Sequence, residues 1–365
     1  MSTQMTFCTR LAVAVVLIAQ LVSAQCFADD DLGTAGPIRS FHPGKCKLGF
    51  AAKQRGECDP PDVPANLSAD VRAQQRVARA RQLIDIARLP QAVRELDVAI
   101  IEDPANTSAR LLRGRLRIPD QLTEAARDVN QVLDTNPDNA DALATKAFIL
   151  VGQDDEAGFH AATKALALNP SSVDALWIRA FVLTRMGKLD QAETDLDDAI
   201  ALEPDDPRTR LARAELRLLT GKTAGAKDDV DSILASHYDL RALQIRAAIQ
   251  AANGDDAGAL ADLNSVLGPT GQRSLPGPTR PDLVNMYVQR ALVLTRSGKA
   301  ADAKQDLETI VTVGGSRAIL QMQVYLRGHG FPDVSLDGKR SDQLDDALQA
   351  CFINSACGRG IAIRG

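Results

Sequence analysis

From Val173 to Pro204 the apolar positions recur at three- and four-residue steps, with a single break at Gly187. Leu176, Ala180 and Leu183 mark the first run, and Ala192, Leu196, Ala199 and Ile200 the second. That spacing predicts two amphipathic helices joined by a glycine turn. Ser171 with Asp174, and Asp190 with Glu193, read as N-cap patterns in which a side-chain oxygen takes up an unpaired amide of the first turn. Pro204 closes the pair. Two helices of this length, with alanines where they would touch, cannot bury their apolar faces alone, so the unit needs copies of itself as neighbours.

The copies follow in phase. Pro104, Pro137, Pro170 and Pro204 close successive helical patterns at intervals of 33, 33 and 34 residues. Ala92, Ala125, Gly158, Ala192, Ala226, Ala259 and Ala303 repeat in the second helices, and Ala80, Gly114, Ala147, Ala180, Ala214, Ala247 and Ala291 in the first. Turns are expected at Gly187, Gly221, Gly254 and Gly298. These residues resemble the tetratricopeptide repeat family, a 34-residue helix–turn–helix with small residues at positions 8, 20 and 27, Gly near 15 and Pro at 32. Val173–Asp206 matches each with Ala180, Gly187, Ala192, Ala199 and Pro204. The resemblance implies an all-α, right-handed superhelical solenoid of about seven repeats over residues 69–315. One longer step is a Pro/Gly-rich insertion, residues 268–281, read as an exposed loop because its prolines exclude helix and central strand.

The two ends differ from the repeats. Residues 1–24 carry Arg10 and then an apolar core, LAVAVVLIAQLVS, ending in Val22-Ser23-Ala24, which reads as a signal peptide with Gln25 starting the mature chain. The apolar core is shorter than the roughly 20 residues a membrane-spanning helix needs. No membrane span is therefore expected after signal cleavage, and the expected location is the periplasm, across an inner membrane. Residues 25–68 form a Pro/Gly-rich, cysteine-containing linker. Apart from Cys8, the cysteines are confined to the ends: Cys26, Cys46, Cys58, Cys351 and Cys357. Such confinement favours local disulfides, Cys46–Cys58 and Cys351–Cys357, in an oxidising compartment. His42, Cys46 and Cys58 could supply three metal ligands, but without a second close Cys pair no metal site is assigned.

Chemistry is scarce along this chain. Its net charge of −5 becomes −6 once Arg10 is removed with the signal, and charges of both signs are interleaved along the helices. With 4% aromatics and no basic tract, nucleic acid is not an expected partner. His42, His160, His237 and His329 are isolated, and no nucleophile elbow, zinc-helix motif or phosphate loop occurs. We therefore assign no catalytic residue and no cofactor, and expect a non-enzyme. Asp195, Asp197 and Asp198 read as the solvated face of a second helix.

In the resembled family, first-helix positions 2, 5, 9, 12 and 13 line a concave groove that holds a protein or peptide. Carried onto this sequence, those positions give Phe148, Asp174, Trp177, Phe181, Arg185, Leu211, Glu215, Gln244, Asn285 and Arg296. Trp177, the only Trp, is either a groove hot spot or a spacer between neighbouring helices. After Gly314-Gly315 the repeat pattern ends. Leu320, Gln321, Leu326, Gly330, Phe331, Asp337, Gly338 and Ala347 resemble the small peptidoglycan-binding domain, with Ser341, Leu344 and Cys351 departing from it. Residues 316–365 are accordingly a peptidoglycan-binding-like module or a helical cap over the last repeat. Two functional expectations follow: an exported scaffold that binds a protein or peptide in its groove, or an envelope protein held to peptidoglycan by its C-terminal module.

Overall fold

The computed structural model describes residues 59–353 apart from 87, 119–120, 237, 269–280 and 314. The signal-like segment, most of the linker, the insertion, and Cys46, Cys58 and Cys357 lie outside these residues. Among the described residues the fold is all-α, with sixteen helices and no strand. They pair into seven hairpins: α1 Ala69–Asp85 with α2 Leu89–Glu102, α3 Thr107–Arg117 with α4 Leu122–Thr135, α5 Ala140–Leu150 with α6 Asp155–Leu168, and α7 Val173–Arg185 with α8 Leu189–Leu202. Then follow α9 Pro207–Leu219 and α10 Thr223–Ser236, α11 Leu240–Ala252 and α12 Asp256–Leu267, and α13 Pro281–Arg296 and α14 Ala300–Val313. Two further helices, α15 Gly315–Gly328 and α16 Asp342–Leu348, end in a π-helical turn, Gln349–Ile353. The chain forms two compact units that divide at Ala212/Arg213, within α9. In each, hairpins pack on their neighbours in chain order, as in a helical-repeat solenoid.

Local chemistry sets the helix ends. Asn106, Asn139, Ser172 and Asp239 each accept a hydrogen bond from the backbone amide three residues on, at Ala109, Ala142, Ala175 and Ala242. The cap of α7 is thus Ser172 rather than the expected Ser171, and Asp190 lies inside the first turn of α8 instead of capping it. Gly187, with φ 74°, makes the turn between α7 and α8.

The small residues of the two series are buried in every hairpin, as the period predicts. Ala92, Ala125, Ala192, Ala226, Ala259 and Ala303 are each 0% exposed. Gly158 is a close crossing: a Cβ there would lie 3.3 Å from the Ala147 carbonyl oxygen and 3.6 Å from Val182 Cγ2.

One recurrent interaction inside the hairpins was not anticipated. An arginine of the first helix bonds a carboxylate of the second: Arg113 with Asp128, Arg179 with Asp195, Arg213 with Asp229, Arg246 with Asp262 and Arg290 with Asp306. Arg79 makes the same bond to Glu95. Most are two-pronged; Arg179 donates from Nε at 2.8 Å and from Nη2 at 2.6 Å. The hairpin α5–α6 has Lys146 and Ala161 at these places, and packs through Gly158, Ala161, Ala162 and Ala165 instead. Asp195 therefore is not part of a solvated face. It is 4% exposed and paired, while Asp197 and Asp198 are exposed as expected. The difference arises because Arg179 brings the neutralising charge that makes burial of a carboxylate tolerable.

In the C-terminal unit, Ala318, Ile319, Met322, Leu326, Val334, Leu344, Ala347, Leu348 and Cys351 share one core with Ala291, Leu294, Leu307 and Ile310 of the last hairpin. Gln323, fully buried, donates to Asp337 and to the Lys339 carbonyl and accepts from the Gly338 amide, which fixes the intervening loop. Cys351 is disulfide-bonded.

Gly158 offers a direct check on hairpin packing. Gly158→Ala is expected to stay within about 1 kcal/mol of wild type, since gained helix propensity offsets a tight contact. Gly158→Leu should cost about 1–3 kcal/mol by forcing α5 and α6 apart. Thermal unfolding followed by far-UV circular dichroism measures both, and an unshifted midpoint for the leucine variant would contradict the close crossing.

Candidate functional site

First helices of successive hairpins touch one another directly, α1 with α3, α3 with α5, and α5 with α7 in the N-terminal unit. Side chains at one register of these helices therefore gather on a common face. Three aromatic rings meet there. Phe148 of α5 lies 5.7 Å from Trp177 of α7, and Trp177 stacks on Phe181 at 6.1 Å with an interplanar angle of 8°. Phe181 follows Trp177 by four residues, so one helical turn aligns them. Trp177 is 8% exposed, whereas Phe148 and Phe181 are half-buried. Trp177 is the packed centre of the stack, and its two neighbours carry the accessible ring surface.

Charged groups bridge the helices at one end of this stack. Asp174, one turn before Trp177, accepts from Arg208 Nη2 at 3.1 Å and from Arg115 Nη1 at 3.4 Å. Arg115 reaches it from α3, donating on the way to Thr145 Oγ1 of α5. Arg208 also donates to Asp206 at 2.9 Å, and its guanidinium carbon lies 6.0 Å from the Trp177 ring centre. Burial opposes the charge on Arg208, but the Asp206 hydrogen bonds and the Asp174 charge outweigh it, so its pKa is raised. One nitrogen, Nη1, is buried with no hydrogen-bond partner among the described residues.

The remaining residues expected to line a groove fall into separate places. Arg185 donates to Asp155 at 3.0 Å, tying α7 to the preceding hairpin. Leu211 is buried. In the C-terminal unit, Arg241 donates to Glu215 and to Gln244, both at 2.8 Å, and Gln244 is 5% exposed. Asn285 is exposed near the start of α13, and Arg296 at its end pairs with Asp256. Phe148, Asp174, Trp177 and Phe181 are brought together, and Glu215 and Gln244 share Arg241 in the C-terminal unit. Arg115, Arg208 and Arg241 are the groups the sequence reading missed. A signal was available for the last two, since they follow Asp174 at intervals of one and two repeats.

This face offers no acid–base pair. His160 is exposed beside Glu156, and His329 stacks on Tyr325 at 4.0 Å with its Nδ1 2.8 Å from the Tyr325 carbonyl oxygen. His42 and His237 lie outside the described residues. No described helix is long and apolar enough to cross a membrane.

No family model matches the chain, and no curated protein matches it. Solved structures with similar architecture include a tetratricopeptide repeat protein from Parabacteroides merdae, at 18% identity over 76% of this chain and 98% of that one, TM-score 0.45. The pilF protein of Pseudomonas aeruginosa is similar at 17% identity over 56% of this chain and 96% of that one, TM-score 0.44. A thermophilic TPR protein of Thermus thermophilus is similar at 22% identity over 49% and 99%, TM-score 0.46.

The Asp174 bridge makes a measurable claim. Asp174→Ala leaves Arg115 and Arg208 without a shared acceptor and should cost about 1–3 kcal/mol. Acrylamide should then quench Trp177 fluorescence more efficiently. Asp141→Ala, at the exposed position one repeat earlier, serves as the control and should leave quenching unchanged. Equal quenching in the two variants would show that the bridge does not hold the tryptophan.

Proposed function

We propose that this chain is an exported, non-enzymatic scaffold that holds another protein or a peptide against the first-helix face of α5 and α7. One observation supports it above others: the rings of Phe148 and Phe181 stay partly open while the charges beside them are spent on one another. Aromatic surface next to neutralised charge binds apolar side chains without a large desolvation penalty, and aromatic anchors dominate interface energies. Ion pairs through Arg115, Arg185 and Arg208 fix the helices that carry the rings, so little ordering is left to be done on binding. Export is inferred from the signal-like segment and the terminal cysteines, with the periplasm as the expected compartment. Residues 316–353 are proposed as the cap of the last hairpin, because Leu326, Leu344 and Ala347 spend their apolar surface inside its core.

Two experiments address this reading. The mature chain, residues 25–365, is used as bait in periplasmic extract beside the Phe148→Ala/Phe181→Ala variant. Captured proteins identified by mass spectrometry should fall at least about tenfold with the variant, the loss of a hot-spot pair. Unchanged capture, with circular dichroism showing an intact fold, would remove the face as the binding site. Separately, N-terminal sequencing of the expressed protein should read from Gln25, and a product that retains Met1 would contradict export.

A further inference from the structure

We propose that residues 59–64 are a strap that closes the N-terminal end of the array, standing in for the second helix of a preceding hairpin. The proposal does not depend on the binding face described above. Along the array each first helix is backed by the second helix before it, as α2 packs on α3, α4 on α5, α6 on α7, α10 on α11 and α12 on α13. No described helix precedes α1. Its flank is met instead by the chain that leads into it, Asp59-Pro60-Pro61-Asp62-Val63-Pro64.

The contacts run in reverse order along α1. Asp59 accepts from Arg88 Nε at 3.1 Å, just past the end of the helix. The Pro60 carbonyl accepts from Arg79 Nε at 3.2 Å and Asp62 lies 2.7 Å from Arg79 Nη2, near its middle. The Leu67 carbonyl accepts from Arg72 Nη1 at 2.6 Å, near its start. The segment is therefore antiparallel to α1, and a turn at Ala65 and Asn66 sends the chain back into the helix. Asp59, Pro60 and Val63 are half-buried. Three prolines fix φ and offer no amide donor, so the segment is already stiff and extended before it docks, and docking orders little.

What the strap supplies is the acceptor that a preceding helix supplies elsewhere. The arginines that bond forward within their own hairpins also reach backward. Arg113 donates to Asp97 of α2 at 2.7 Å, Arg246 to Asp231 of α10 at 3.2 Å, and Arg290 to Asn264 of α12 at 2.8 Å. Arg79 is the corresponding arginine of the first hairpin, bonded forward to Glu95, and its backward acceptors are Asp62 and the Pro60 carbonyl. Asp97 precedes its arginine by 16 residues and Asp231 by 15, while Asp62 precedes Arg79 by 17. The acid thus stands at the spacing of the repeat without a helix to carry it. Terminal repeats of an array need such closure, because an uncovered end face invites another chain to stack on it.

The test uses the mature chain, residues 25–365, and two readouts: cutting of the Pro61–Asp62 bond by endoproteinase Asp-N, and hydrogen exchange of α1 followed by mass spectrometry. Asp59→Arg should speed the cut about tenfold and exchange in α1 about threefold, with α13 and α14 unchanged. Arg88→Asp should do the same. The double variant Asp59→Arg/Arg88→Asp restores the pair with its signs exchanged and should return both rates to within about twofold of wild type. A wild-type chain cut as fast as a free peptide of residues 55–68 overturns the strap. Faster cutting with α1 exchange unmoved overturns its closing role. Arg88 directly precedes α2, where an aspartate could cap the helix, so Arg88→Asp alone separates pairing from capping. Wild-type rates in that variant, or a double variant as fast as Asp59→Arg, overturn the antiparallel pairing.

Discussion

The interaction on which this structure depends is the arginine–carboxylate bond that crosses six of its seven hairpins. Taken singly, a buried ion pair is a doubtful source of stability, because removing two charges from water costs nearly as much as their attraction returns. Its contribution here is geometric. A two-pronged guanidinium–carboxylate contact, such as Arg290 with Asp306 at 2.7 and 2.8 Å, has a narrow range of productive angles. The bond therefore fixes how far one helix can slide or rotate against the other. Alanine and glycine at the crossing let the backbones approach, but small smooth surfaces alone specify register poorly. The pair supplies what they lack.

Register within a hairpin decides which side chains reach the common face of the first helices. Arg179 is two helical turns after the Ser172 cap and one turn before Leu183, within the same helix as Trp177 and Phe181. Its pKa is raised chiefly by the Asp195 hydrogen bonds, so it stays charged and the clamp does not loosen in the neutral range. A second set of bonds, through Asp174, Arg115 and Arg208, then joins hairpin to hairpin. The outcome is a charge-neutral frame around three rings. Binding energy on such a face would come from the rings.

The fold was legible because its signals are periodic. Ala92, Ala125, Gly158, Ala192, Ala226, Ala259 and Ala303 each sit where two helices cross, and a residue with no room for a larger side chain keeps its phase along the array. The ion pairs obey the same period, yet were hidden. Asp195 lies among Asp190, Glu193, Asp197 and Asp198, and nothing in composition separates a buried acid from four acids beside it. Only pairing Arg179 with the residue sixteen positions on, and finding the same step at Arg213, Arg246 and Arg290, reveals it. The site was half legible. Position within the repeat selected Phe148, Asp174, Trp177 and Phe181 together, but that Trp177 would be the enclosed ring and the phenylalanines the open ones depends on neighbours in adjacent hairpins. Ser172 in place of Ser171 is a smaller case: adjacent serines compete for one cap, and backbone geometry chooses.

A double-mutant cycle on Arg179 and Asp195 tests the clamp most directly, with Trp177 in the same hairpin as reporter. Urea unfolding is followed by its fluorescence for Arg179→Ala, Asp195→Ala and the double variant. A register-fixing pair predicts losses of about 2–3 kcal/mol for each single change, discounted for the exposed quarter of Arg179, and a double variant that falls well short of their sum. The folded single variants should also show Trp177 emission moved to longer wavelength, as the face loses its alignment. Additive losses within about 0.5 kcal/mol, with emission unmoved, would mean that the helices find their register without the bond.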